Sequence, residues 1–114
     1  MVGRCGPSLV IESDGSVYPC DFYALDEWKL GSIADDSLKR MLASDKEKAF
    51  LAESLPVPEK CKACRWYPLC RNGCKRERLA GSGLNRWCDV HTKFLEYAFE
   101  RMQQMANQLK QGSR

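Results

Sequence analysis

Seven cysteines punctuate this 114-residue chain: Cys5, Cys20, Cys61, Cys64, Cys70, Cys74 and Cys88. The last five read C-x2-C-x5-C-x3-C, then thirteen residues, then Cys88. A C-x2-C loop turns two thiolates toward one metal centre while backbone N–H groups point at the sulfurs, and such loops serve both zinc and iron–sulfur clusters. An odd number leaves one cysteine over in any intrachain disulfide scheme. The opening residues Met1-Val2-Gly3-Arg4 carry no apolar signal region, so the expected setting is cytoplasmic, where thiols stay reduced. Seven is three more than a tetrahedral zinc needs and one fewer than two four-cysteine sites need. The single histidine, His91, could supply an eighth ligand, but at the start of a helix an exposed polar residue is the commoner case.

The elements around these thiols can be read from local pattern. Leu9-Val10-Ile11-Glu12 and Ser16-Val17-Tyr18 flank Ser13-Asp14-Gly15, which predicts a β-hairpin that ends at Pro19. An antiparallel pair brings Cys5 and Cys20, at its two open ends, toward one site. Gly31 marks a further turn. Asp35 or Asp36 is expected to cap a helix bearing Leu38, Met41 and Leu42, and a second helical stretch covers 45–54 before Pro56 and Pro58. Residues 61–88 show little apolar periodicity and need an outside constraint, which a metal supplies. From about Asp89 to Leu109 the stripe Phe94, Ala98, Met102, Met105 and Leu109, with Leu95, Phe99 and Ala106 alongside, predicts a long amphipathic helix packed on the domain. The fold class expected is α+β: one small cysteine-rich domain over 1–110 with a frayed tail, 111–114.

Composition narrows the partners. Hydrophobic residues make up 44% and charged residues 29%, which is ordinary for a globular chain. A net charge of +3 is too small to indicate a phosphate footprint. Arg71, Lys75, Arg76, Arg78 and Arg86 lie near Trp66, Tyr67 and Trp87, a mixture that could bind single-stranded nucleic acid. The preferred expectation is that these cations offset the charge of thiolate-bound metal and otherwise face solvent, with Trp66 and Trp87 shielding the metal from water. No stretch approaches a membrane span.

The whole constellation, Cys5-x9-Gly15-x4-Cys20, then Cys61, Cys64, Cys70 and Cys74, then Cys88, resembles the SPASM domain, the C-terminal auxiliary-cluster domain of many radical S-adenosylmethionine enzymes. The segment from Glu12 to Tyr23, Leu30-Gly31 and Phe94-Leu95-Glu96-Tyr97-Ala98-Phe99 is similar to the anaerobic sulfatase-maturating branch. The resemblance implies two [4Fe–4S] clusters with interleaved ligands. Cys5, Cys20 and Cys74 would hold the first, Cys61, Cys64, Cys70 and Cys88 the second. It implies Asp21 as the acceptor of a substrate proton, against a bland alternative as a turn or hydrogen-bonding residue. It also implies a parent that oxidises a sulfatase cysteine or serine to formylglycine.

Three departures bear on this. The family's first cluster takes a fourth cysteine slightly upstream of the Cys5 position, which the sequence does not include, so that site is expected to be open and labile. Asn72-Gly73 stands where a Gly-Gly pair is frequent; asparagine tolerates the backbone angles concerned. The C-x3-C-x2-C triad that binds the S-adenosylmethionine cluster is missing, since Glu77 occupies the position required after Cys70 and Cys74. The expected whole is a larger enzyme whose core domain binds S-adenosylmethionine and acts in cis, leaving this part inactive alone. The other readings are a zinc-stabilised module for protein or nucleic acid, and a SPASM domain serving a different peptide.

Overall fold

The Asp14-Gly15 turn forms as the sequence predicts. In the computed structural model, which describes residues 2–112, the Ser16 N–H donates to Asp14 Oδ1 at 2.9 Å and Gly15 adopts φ +85°. This hydrogen bond holds the Asp14 carboxyl below its ordinary range. Strand β1 (Val10–Ile11) pairs antiparallel with β2 (Ser16–Tyr18), with Val10 opposite Tyr18. A third strand, β3 (Gly31–Ser32), pairs with the other edge of β2, so the sheet order is β1-β2-β3. The sequence predicts only a turn at Gly31; two residues are too short for any periodicity, and the strand exists because β2 offers it an edge. The central strand is buried throughout, with Val17 fully covered.

Helix α1 (Leu38–Leu42) is capped by Ser37, whose Oγ accepts the Arg40 N–H, and not by Asp35 or Asp36. Asp36 instead accepts the Ser37 N–H at 2.7 Å. Of the three apolar residues on α1 only Met41 is buried, facing Gly31, where a Cβ would come within 3.2 Å of Met41 Cε. Helix α2 (Asp45–Ala52) follows the Ser44 cap and buries Phe50 and Glu47. Phe50 sits in an aromatic group with Tyr23 and Trp28 at centroid distances of 5.0 and 5.2 Å. Both carboxylate oxygens of Glu47 lie buried without a hydrogen-bond partner, and burial raises its pKa.

Short helices α3 (Glu59–Lys62) and α4 (Tyr67–Cys70) punctuate the cysteine-rich segment. The long helix α5 runs Cys88–Gly112, so Gln111 and Gly112, expected in the tail, are helical; Met1, Ser113 and Arg114 lie outside the described residues. The architecture is α+β. The predicted apolar stripe on α5 needs correction. Leu95 is the buried residue, with Phe99 beside it, whereas Phe94, Met105 and Leu109 are 58%, 62% and 71% exposed. Every residue from 101 to 112 is exposed, because the small body ends before the helix does. No helix among the described residues is long and apolar enough to cross a membrane.

Candidate metal centres

Four thiols converge because three chain reversals bring them round. Cys61 lies on α3, and the Cys64 N–H returns to the Cys61 carbonyl at 3.2 Å. Cys70 ends α4, after which Arg71, Asn72 and Gly73 take successive left-handed angles (φ 49°, 61° and 58°) and turn the chain back. Cys88 opens α5. Cys61, Cys64, Cys70 and Cys88, with Trp66 and Leu95, line one cavity of about 290 Å³. Burial pushes the Cys61 thiol up, and the neighbouring Cys88, Cys70 and Cys64 push the same way against Arg78. Such a thiol ionises when a cationic centre is there to bind it.

Two buried asparagines brace this loop. Asn72 Oδ1 accepts the Asn85 N–H at 2.9 Å, Asn85 Nδ2 donates to the Asn72 carbonyl, and Asn85 Oδ1 accepts the Trp87 N–H at 2.8 Å. Asn85 has no cue in the sequence; only the fold shows that it closes the gap before Cys88. His91, predicted exposed, is half-buried with Nδ1 at 3.6 Å from Cys70 Sγ. It sits behind a thiol and does not line the cavity. Trp66 shields the cavity as expected, at 6% exposure. Trp87 does not: it is half-exposed, and its indole N–H donates to Glu77 at 2.9 Å.

Cys74 leaves its sequence neighbours. It lines a separate hollow of about 210 Å³ with Cys5, Gly3, Gly73 and Lys75. Burial, and then the charges at Asp21 and Cys5, raise the Cys20 thiol pKa against the Phe22 N–H. The Tyr23 hydroxyl is raised by burial and then by Cys74, with Cys5 adding to it. Cys5 thus acts on both Cys20 and Tyr23, and Cys74 acts on Tyr23. The Cys5 N–H donates to Ser54 Oγ at 2.8 Å, anchoring the N-terminal segment to the end of α2. Asp21, beside Cys20, is exposed; its Oδ1 accepts the Phe22 N–H at 3.0 Å and lies 3.4 Å from Cys20 Sγ.

The basic residues do not form a patch. Arg78 donates to four carbonyls: Gly3 at 2.7 Å, Ser54 at 2.8 Å, Gly73 at 3.3 Å and Asn72 at 3.4 Å. Lys75 Nζ is enclosed by Phe50, Trp28 and Tyr23 at 3.8, 4.6 and 4.7 Å and pairs with Glu53 at 2.7 Å. Arg86 pairs with Glu77, and Arg71 Nε donates to the Pro68 carbonyl. Lys75 and Arg78, expected to offset metal charge and otherwise face solvent, join the segments that carry Cys5 and Cys74 to the end of α2. A cation with no phosphate partner is stabilised by carbonyl oxygens and aromatic faces, which an unpatterned sequence does not reveal.

The donor sets suit clusters. The four thiols that line the larger cavity form the all-thiolate donor set that an iron–sulfur cluster takes. Residues 5–65 match the family model for the SPASM iron–sulfur cluster-binding domain. The chain is 45% identical to a cysteine-type anaerobic sulfatase-maturating enzyme of Clostridium perfringens over 96% of its own length and 31% of that enzyme. It is 29% identical to a serine-type enzyme of Bacteroides thetaiotaomicron, over 96% of this chain and 28% of that one. A solved structure described as native anSMEcpe with bound AdoMet and Kp18Cys peptide superposes with a TM-score of 0.88 at 46% identity, over 95% of this chain and 31% of its own. The chain thus spans about a third of the length of the relatives it matches. With the cysteine geometry and the family match in agreement, the chain belongs to the SPASM family of iron–sulfur cluster-binding domains.

Proposed function

We propose that this chain is the auxiliary-cluster domain of an anaerobic sulfatase-maturating radical S-adenosylmethionine enzyme, and that it holds two [4Fe–4S] clusters. The observation that carries the two-site reading is the partition of the thiols between two hollows: Cys61, Cys64, Cys70 and Cys88 around one, Cys5 and Cys74 at the other with Cys20 beside them. Seven thiols exceed the four that a single tetrahedral zinc takes. When bound, such clusters accept and pass single electrons. The chain's own contribution is to fix the thiolates, exclude water with Trp66 and Leu95, and offset negative charge with Lys75 and Arg78. The parent oxidises a residue of a sulfatase to formylglycine in the cytoplasm. Higher identity to cysteine-type than to serine-type relatives, 45% against 29%, supports cysteine as that residue.

Asp21 is the proposed proton acceptor. Its carboxylate is exposed in this chain, so the apolar surroundings that favour a general base come from the substrate and the core domain. The exposed face of α5, with Phe94, Tyr97 and Met105, offers that core domain a surface to cover. Anaerobic reconstitution with iron and sulfide tests the cofactor reading. The expected product is brown, with several iron and sulfide per chain. One or two zinc and no sulfide after reconstitution would refute it in favour of a zinc-stabilised module. In a full-length parent, Asp21→Asn should suppress formylglycine formation while S-adenosylmethionine cleavage persists; unchanged product formation removes Asp21 from the mechanism.

A further inference from the structure

His91 holds a ring nitrogen against one of the thiols. Its Nδ1 lies 3.6 Å from Cys70 Sγ, at hydrogen-bond distance for sulfur. The side chain is half-buried, and two contacts fix its place. Its backbone N–H donates to the Trp87 carbonyl at 2.9 Å in the first turn of α5. Its Cε1 edge faces Gly73, where an added Cβ would stand 3.5 Å away. The ring therefore sits between α5 and the left-handed turn that leads from Cys70 to Cys74. Among the described residues, Cys70 alone of the four second-site thiols has a side-chain nitrogen at this distance. At the first site the comparable neighbour has the opposite character: Asp21 Oδ1, a carboxylate oxygen, lies 3.4 Å from Cys20 Sγ.

The chemistry of the pair decides which way the hydrogen points. A neutral imidazole carries one hydrogen, on either nitrogen. A free thiol could donate to Nδ1. A thiolate bound to metal has lost its hydrogen and can only accept. Its partner nitrogen must then carry the proton, since the hydrogen bond an imidazole makes sets its tautomer. We infer that His91 Nδ1–H donates to the Cys70 sulfur when that sulfur binds the second cluster, and that this bond favours the reduced cluster. The inference rests on the cluster reading above. Sulfur ligands gain negative charge on reduction, so a donor at one of them raises the potential. His91 does not line the cavity, so it is a positioning residue outside the ligand set. With a nitrogen behind Cys70 and a carboxylate beside Cys20, the second cluster is the easier of the two to reduce.

The test uses the full chain, reconstituted anaerobically with iron and sulfide. His91→Phe keeps a ring and removes both nitrogens; His91→Asn returns an N–H near the place of Nδ1. Dithionite titration followed by electron paramagnetic resonance should show one cluster harder to reduce in His91→Phe. The expected shift is about tenfold in the reduction equilibrium, or about 59 mV for one electron. His91→Asn should restore it, and the other cluster should not move. The chain has one histidine, so 15N-histidine labels this residue alone. The reduced, labelled chain should show a weak nitrogen coupling that Cys88→Ser, expected to lack the second cluster, loses. Should His91→Phe fail to hold that cluster, the labelled wild type decides. Unchanged potentials in a fully loaded His91→Phe overturn the inference, and an equal fall in both variants, which marks lost packing, does so too. So does a labelled chain with no nitrogen coupling, with the large coupling of an iron-bound nitrogen, or with one that survives Cys88→Ser. In each of these cases the cluster reading stands. Zinc without sulfide overturns both together.

Discussion

Replacing Arg78 with lysine removes a guanidinium that joins three distant segments through carbonyl oxygens. Its bonds to Gly3 and Ser54, at 2.7 and 2.8 Å, are short; those to Gly73 and Asn72, at 3.3 and 3.4 Å, are longer. Lysine carries the same charge on a compact ammonium and cannot span the fork, so it keeps about one of the four. A hydrogen bond to a charged group is worth about 1.5–3 kcal/mol. Losing one short bond in full and the weaker two in part amounts to roughly 3–5 kcal/mol. Stability of a domain this size is about 5–15 kcal/mol, so the variant should unfold roughly 10–20 °C lower. The effect should concentrate at the first site. Gly3 leads into Cys5 and Gly73 precedes Cys74, and Ser54 itself holds the Cys5 N–H. The assays are thermal unfolding by circular dichroism of the iron-loaded chain and the rate of iron transfer to a chelator. Faster release from the first site, with the second nearly unchanged, is expected. A melting temperature within about 3 °C of wild type, with unchanged release, would show that the four carbonyl contacts contribute nothing net.

Cys88→Ser should abolish the cluster at the second site while sparing the first, and Cys74→Ser should do the reverse despite its place among the second site's cysteines; iron counting and the two spectroscopic signals check both. Gly73→Ala should cost about 1–2 kcal/mol from the left-handed backbone alone. It should cost more because its Cβ would lie 2.5 Å from Asn85 Nδ2; a lower melting temperature and looser iron binding are the readouts. Glu47→Met should stabilise the chain at neutral pH, since a buried unpaired polar group costs about 1–3 kcal/mol and neither Glu47 oxygen has a partner. Burial raises the folded-state pKa of Glu47. The wild type's stability from this group is therefore full below the unfolded glutamate pKa, about 4.3, and falls as pH rises through the raised folded value. The advantage of Glu47→Met should shrink from pH 8 toward pH 5, measured as the difference in melting temperature; a constant difference would refute the assignment.

Much of the arrangement is visible in local pattern, but unevenly. The Asp14-Gly15 hairpin, the α2 stretch and the long final helix follow from turn chemistry, the prolines that end the 45–54 stretch and apolar spacing. The third strand does not, because Gly31–Ser32 has no pattern of its own and pairs only where β2 presents an edge. The cap of α1 moved from an aspartate to Ser37, because Asp36 could instead accept the Ser37 N–H. On α5 the 3.6-residue period was right, but only the Leu95 and Phe99 edge of the apolar set turns inward. Leu95 faces the thiol-lined cavity, while Phe94 and Met105 point away from this domain. Periodicity reports that a helix has an apolar face; it carries no information on which neighbour, inside or outside the chain, covers it.

The same division holds at the metal centres. Seven cysteines with C-x2-C-x5-C-x3-C spacing point by themselves to metal binding through thiolates, since ligand type and short loop length are local properties. How the thiols divide is a matter of three-dimensional path. Cys70 and Cys74 are four residues apart, yet three left-handed residues between them send one sulfur to each hollow. Only the tertiary structure could show that Arg78 and Lys75 are internal ties, that Asn85 closes the loop and that the Trp66 N–H is buried without a partner. Those roles depend on burial and on partners far along the chain, and sequence spacing reports neither.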